Sequence, residues 1–265
     1  MDEMKRKFIF TEKINIHRII NLSYFDNFEQ VKISDWIHKY PKNAKSVHFN
    51  ANTNIIPYGV THLIFSDRFD DTVTNLIPDS VTHLTFGYSF DQPIKNSIPS
   101  SIKHLIFGSE FNHSIKECIP SSVTYLEFGD DFNQSITSSI PASVTHLIFG
   151  YDFDRCIRGN IPFGVTHLVF DAAFNRRIKN SKDRAGRIIR AIPASVIYLE
   201  FGASFNQPIK DYIPPSVTHI KFGRDFNRSI NRLPPSVKKI ELFQNYRKPI
   251  DTIISMRTKI ITVDN

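Results

Sequence analysis

The chain has 265 residues, a formal charge of +7 and 41% hydrophobic residues, enough apolar material for one large domain or two small ones. No apolar run approaches the roughly 18 residues of a membrane-spanning helix, and the opening "MDEMKRKFIF" lacks the features of a secretory signal, so an intracellular, cytoplasmic protein with no membrane contact is expected. Two cysteines, Cys118 and Cys156, indicate neither a disulfide framework nor a zinc cluster.

In residues 1–27, Ile16, Ile19, Ile20 and Tyr24 stand at helical spacing, which predicts a short helical or irregular N-terminal cap. Trp36, which follows the helix-capping candidates Ser34 and Asp35, is expected to anchor this end. Phe28, Val31 and Ile33, and then Ala44, Val47 and Phe49, show the V-x-x-L-x-F spacing that dominates the rest of the chain, so the strands are expected to begin at residue 28.

From 55 to 254 the chain repeats itself nine times. Proline recurs at Pro57, Pro78, Pro99, Pro120, Pro141, Pro162, Pro193, Pro214 and Pro234, in steps of 21 residues five times and then 31, 21 and 20. A fixed period of this size predicts a solenoid. One rung reads V-T-H-L-x-F-G-x-x-F-N-x-x-I-x-x-x-I-P. In the third rung this turns Ile102, Leu105 and Phe107 inward from a strand, followed by Phe111, Ile115 and Ile119. Six side chains cannot offset the entropy of ordering 21 residues, so the coils must stack, with their strands in parallel register. Thr258, Ile261 and Val263 fit a last strand. The total is then about twelve strands and a stack of roughly 55 Å.

The corners carry their own chemistry. Gly87, Gly108, Gly129, Gly150, Gly202 and Gly223 follow the strands, with Ser66 and Asp171 as exceptions, which predicts an unusual φ or a lack of space for a side chain. After the corner Phe comes Asn112, Asn133, Asn175, Asn206 or Asn227, and Asp70, Asp91 or Asp154 in other rungs. Their common property is a side-chain oxygen that accepts backbone N–H groups, so a stacked Asn/Asp ladder is expected. The N-x-S sequons at Asn112, Asn133 and Asn227 are therefore read as repeat positions rather than glycosylation sites.

The stretch "FNQPIKDYIPPSVTHIKFG" resembles the repeat of the FNIP family, named for its Phe-Asn and Ile-Pro pairs. The resemblance implies a mostly β, right-handed, leucine-rich-repeat-like solenoid over 28–265 with one long parallel sheet. It also implies a non-enzymatic protein–protein interaction scaffold or adaptor that needs no cofactor. Proteins of this type often carry an F-box, three packed helices that dock on a ubiquitin-ligase scaffold, ahead of the repeats. Fewer than thirty residues precede the first strand here, too few for that module, and they resemble the linker that usually follows it. A substrate-recognition type of module lacking its own F-box is the resulting expectation.

Strand residues between the inward ones face the open side of the sheet. One column is His62, His83, His104, Tyr125, His146, His167, Tyr198, His219 and Lys239; the next is Ile64, Thr85, Ile106, Glu127, Ile148, Val169, Glu200, Lys221 and Glu241. These columns are the candidate protein-binding face, where an aliphatic strip flanked by His and Tyr has the composition of a docking surface. Histidines one strand spacing apart could share a metal, but no matched carboxylate or thiolate accompanies them, and stacked rings are the expected arrangement. No phosphate-binding loop or oriented nucleophile is visible.

One segment differs from the rest. Arg176, Arg177, Lys179, Lys182, Arg184, Arg187 and Arg190 stand against Asp183 alone, around a ten-residue insertion at about 181–190. This supplies the alternative reading, anion or nucleic-acid binding through 176–190, set against that of a solvated surface loop. No aromatic platform interleaves the charges. The leading expectation is a monomer that binds an unidentified protein partner.

Overall fold

Alternation makes the strands. In His62–Phe65, Leu63 and Phe65 are buried while His62 and Ile64 face the other side, the two-residue period of a strand with one face on a core. In the computed structural model, which describes residues 9–33 and 39–264, this element recurs as β4 (His62–Phe65), β5 (His83–Thr85), β6 (His104–Ile106), β7 (Tyr125–Glu127), β8 (His146–Phe149), β9 (His167–Phe170), β12 (Tyr198–Glu200), β13 (His219–Lys221) and β14 (Lys239–Phe243). Three strands precede them, β1 (Ile14–Asn15), β2 (Gln30–Ile33) and β3 (Ser46–Ala51), and β15 (Lys259–Val263) follows. These thirteen form one sheet in chain order. Every pair is parallel, and equivalent residues of successive clear rungs lie opposite one another. The ten-residue insertion leaves the sheet as an antiparallel hairpin of β10 (Ser181–Lys182) and β11 (Ile188–Ile189), so β9 pairs directly with β12.

Differences from the expectation lie at the ends. The sheet starts inside the segment read as a cap, because β1 pairs Ile14 with Val31. The expected helix is two short 3-10 turns, Ile16–Arg18 and Phe25–Asn27, the first capped by the Asn15 side chain accepting from the His17 N–H. Ile16 and Ile19 are buried there, as their spacing required, whereas Tyr24 stays exposed. Ser34, Asp35 and Trp36 lie outside the described residues. In β3, Val47 and Phe49 do face the core, but Phe49 lies opposite Leu63 and Ala51 opposite Phe65, two residues further along than their spacing implies. At the other end the expected inward set of Ile261 and Val263 is incorrect. Ile260 lies opposite Ile240 and Thr262 opposite Leu242, so Ile261 and Val263 take the outward face. The last coil, which contains helix α1 (Thr252–Arg257), has a step of 20 residues, and a one-residue slip exchanges the faces of a strand.

The largest fully buried side chains are all phenylalanine. Phe65, Phe86, Phe107, Phe128, Phe149, Phe170, Phe201 and Phe222 stack at 5.5–5.8 Å between ring centroids. A second stack from Phe69 to Phe226 runs beside it at 6.1–6.4 Å. Within each rung the two rings meet at 3.8–4.2 Å. Aromatic pairs of this kind contribute about 0.5–1.5 kcal/mol beyond the area they bury.

Space, not φ, explains the corner glycines. A Cβ on Gly108 would stand 1.7 Å from the Gly87 carbonyl oxygen, and one on Gly129 would stand 1.9 Å from that of Gly108. The left-handed position lies elsewhere, two residues after the conserved-phase Ile or Val, where Asn75, Asn96, Glu117, Ser138, Gly159 and Asp211 have φ between 55° and 73°.

The Asn/Asp ladder forms as expected. Each side-chain oxygen accepts the backbone N–H of the same position one rung later, from Asp70 to Asp91 and onward through Asn227 to Arg247, at 2.9–3.2 Å. Replacing Asn133 with Ala leaves the Asp154 N–H without this partner, which costs about 1 kcal/mol and should lower the melting temperature by about 2–4 °C. Asn133→Asp keeps the acceptor and should melt close to wild type; differential scanning fluorimetry on both variants checks the pair.

Candidate functional site

The parallel register assembles the two outward columns into a face. His62 lies opposite His83, then come His104, Tyr125, His146, His167, Tyr198, His219 and Lys239. The same pairs align Ile64, Thr85, Ile106, Glu127, Ile148, Val169, Glu200, Lys221 and Glu241, to which β15 adds Ile261. Ile64 is 40% exposed, and most of the remaining side chains are half-buried by their own neighbours along the column. Beside the second column runs a groove of about 550 Å³, lined on its floor by Ile64, Thr85, Glu127, Ile148, Val169 and Glu200 and along one wall by the glycine corners.

The histidines stack. His48 joins the column from β3, and the ring centroids of His48, His62, His83 and His104 are 4.0–4.2 Å apart, with His146 and His167 at 4.3 Å. A threonine precedes His62, His83, His146, His167 and His219 and bonds the ring. Thr82, Thr145 and Thr166 donate their hydroxyl to a backbone carbonyl of the preceding rung at 3.1–3.2 Å. With that hydrogen committed, the same oxygen accepts from the Nδ1–H of His83, His146 or His167 at 2.9–3.0 Å. This selects the Nδ1–H tautomer and leaves Nε2 as an acceptor. Burial first, and then the charges of neighbouring His and Lys groups, hold His48, His62 and His83 down to about 4; His104 and His167 shift the same way. Among the described residues no three His, Cys, Asp or Glu side chains come together as metal ligands.

The column changes character where histidine gives way. The Tyr125 hydroxyl donates to Glu127 at 2.5 Å and that of Tyr198 to Glu200 at 2.7 Å, each a pair two residues apart on one strand face. Burial, followed by the hydrogen bond to the carboxylate, pushes both phenols up. Lys221 pairs with Glu200 at 2.6 Å and Lys239 with Glu241 at 2.5 Å. The face thus runs from aliphatic at β4 to an alternating ionic row at β14.

The basic segment does not gather into one pocket. Arg176 is tied to the ladder, its Nε donating to Asp154 at 2.9 Å, and Arg187 pairs with Asp183 at 2.7 Å across the hairpin turn. Arg177, Lys179, Lys182 and Arg184 are exposed, and Arg190 is half-buried where its carbonyl accepts from the Gly159 N–H. Ile188 is 57% exposed, so the hairpin adds little to the core, which resumes at Ala191 and Ile192.

Those in-register rungs match the model of the FNIP repeat at 49–89, 72–110, 111–152, 132–170, 188–225 and 205–244, together more than half of the chain. The chain belongs to the FNIP repeat family. It is also similar in structure to CroV588, whose crystal structure is described as a novel circular LRR protein: 30% sequence identity, a TM-score of 0.67, and coverage of 89% of this chain. The present chain spans 40% of that protein's length. No curated protein is matched by the sequence. Among the described residues no helix is long and apolar enough to cross a membrane.

The FNIP rungs contain groove residues that the sequence reading passed over. Asp67 and Asp130, one position after the corner, and Asp171, at the corner itself, line the groove wall. The signal was their departure from the repeat: the position after the corner is Tyr88, Ser109 or Tyr151 in other rungs. A second signal links the columns, since Glu127, Glu200 and Glu241 occur only where the first column has Tyr or Lys instead of His.

Because His48, His62 and His83 titrate near 4 rather than at their ordinary 6.5, the folded chain binds fewer protons than the unfolded one between about 6.5 and 4. Their contribution to stability is complete above that window and is lost as pH falls through it. The melting temperature at fixed ionic strength should therefore drop across the window, and His62→Tyr with His83→Tyr, which uses a residue the column already accepts, should flatten the profile. The hairpin yields a second test. The Ala191 N–H donates to the Asn180 side chain at 3.2 Å, so the ends of the insertion already meet. Deleting 181–190 should preserve the far-ultraviolet spectrum and shift the melting midpoint by no more than a few degrees.

Proposed function

We propose that this FNIP solenoid is a non-enzymatic protein-interaction scaffold of the adaptor type, whose partner docks on the open sheet face. The observation that supports the reading is the continuity of that face. Ile64, Ile106, Ile148 and Val169 stay outward on strands in strict register, and a groove that crosses seven strands is lined by Ile64, Ile148 and Val169. Four aliphatic side chains among the seven of this column, on the surface of a charged protein, give it the composition of an interface rather than of ordinary solvent-facing strand. Repeat solenoids provide such surfaces because every rung adds one strand to the same face.

Ile106→Lys combined with Ile148→Lys tests the reading. Both side chains point away from the core, so the melting temperature should stay near wild type, while retention of the protein partner recovered by affinity purification should fall at least tenfold, about 1.4 kcal/mol. Unfolding of the double variant, or undiminished capture by a folded one, would contradict docking on this face.

A further inference from the structure

The chain is basic overall, at +7, yet its groove is not. The charged side chains that line it are Asp67, Glu127, Asp130, Asp171 and Glu200, all acidic. Among the described residues Glu127, Asp67, Asp130 and Asp171 have no Lys or Arg within ion-pair distance, and only Glu200 is balanced, by Lys221. The Glu127 carboxylate is not free to swing away, because Tyr125 holds one of its oxygens at 2.5 Å. Between Glu127 and Glu200 the floor is aliphatic, formed by Ile148 and Val169. A groove with this sequence of surfaces complements an occupant that is cationic at both ends and apolar between them.

The dimensions select the form of that occupant. From β4 to β12 the groove crosses seven strands, about 29 Å at one strand spacing per step, which accommodates about nine residues of extended chain. Glu127 on β7 and Glu200 on β12 are three strands apart, about 14 Å, and side chains four residues apart on one face of an extended chain are separated by about 13 Å. The one side chain that is two residues from each then falls between Ile148 and Val169. We infer that the groove binds an extended segment of a partner polypeptide that presents a basic side chain, an aliphatic one two residues later and a second basic one four residues later. Glu127, unbalanced by any cation of its own, is the stronger anchor; Asp130 on the wall beside it adds to the same field. The inference rests on the reading of the open face as the docking surface and gives that surface a ligand chemistry.

The test uses the full chain and a fluorescein-labelled peptide of about nine residues, the length set by the strand spacing, built on Lys-x-Ile-x-Lys with serine and glycine elsewhere. Two controls have the same composition with the lysines adjacent, or glutamates in place of the lysines. Anisotropy should show the spaced peptide binding more tightly than either control, with affinity falling as salt rises. Glu127→Gln keeps an acceptor for Tyr125 and should weaken binding about fivefold, the upper range for a partly exposed ion pair. Asp130→Asn, on the wall and away from the strand pairing, should weaken it in the same direction and serves if Glu127→Gln melts early. Equal binding of the respaced or acidic peptide, no binding of the spaced one, or affinity unchanged in both variants would overturn the inference. Concentration-dependent self-association abolished by Glu127→Gln would overturn it too, by placing the basic hairpin of a second copy in the groove. If the peptide fails while Ile106→Lys with Ile148→Lys still loses the protein partner, the scaffold reading stands and only the ligand chemistry falls.

Discussion

Every column of this molecule must pack against copies of itself. Parallel coils in strict register, about 4.8 Å apart, place each rung position over its equivalent in the next, so a side chain fits only if it can neighbour its own kind. Phenylalanine meets this by ring stacking, in two columns that run side by side through the interior. Asparagine and aspartate meet it by a shared side-chain acceptor aimed at the next N–H. Where a corner's Cα closely approaches the carbonyl of the rung before it no side chain fits, and there the residue is glycine. Ser66, Asp171 and Phe243 stand at this position in the other rungs, and the first two donate their N–H to carbonyls of the preceding rung, Ala51 and Phe149.

The same constraint shapes the exposed face, where charge would otherwise accumulate. A column of protonated imidazoles about 4 Å apart would repel along its length; at His48, His62 and His83 burial and the neighbouring charges hold the titration down, and where a threonine precedes the histidine, as at His83, it fixes one tautomer. In the second column no two like charges are adjacent. Glu127 lies between Ile106 and Ile148, and Glu200, Lys221 and Glu241 alternate in sign. Self-repulsion thus limits where a carboxylate can stand, and the positions that remain are the ones that give the groove its charge pattern.

Breaks in the repeat are absorbed outside the stack. The ten-residue insertion folds on itself as a hairpin, with Asp183 accepting two N–H groups of its turn, so β12 meets β9 as though nothing intervened. It rests on the preceding rung at Gly159, which leaves room for Ile189 and donates its N–H to the Arg190 carbonyl. At the C-terminal end the last two coils are each a residue shorter than the usual step, and the outward column gains Ile261 there.

By itself the sequence determined the period, the inward residues of each clear rung, the two outward columns and the Asn/Asp ladder. These follow from spacing alone, since a strand shows alternate faces and a fixed step stacks equals on equals. It also contained the link between Tyr and Glu on one strand face, legible because both depart from the repeat in the same rungs. The tertiary structure alone decided the first and last strands, where one or two residues of slip change a strand's partners or exchange its faces and no neighbouring repeat fixes the step. It alone decided that the corner glycines answer to crowding between coils rather than to a left-handed backbone, a matter of distances between residues 21 apart. And it alone brought Asp67, Asp130 and Asp171 to the wall of a groove whose floor contains Glu127 and Glu200, because a surface shared by seven strands exists only once the coils are stacked.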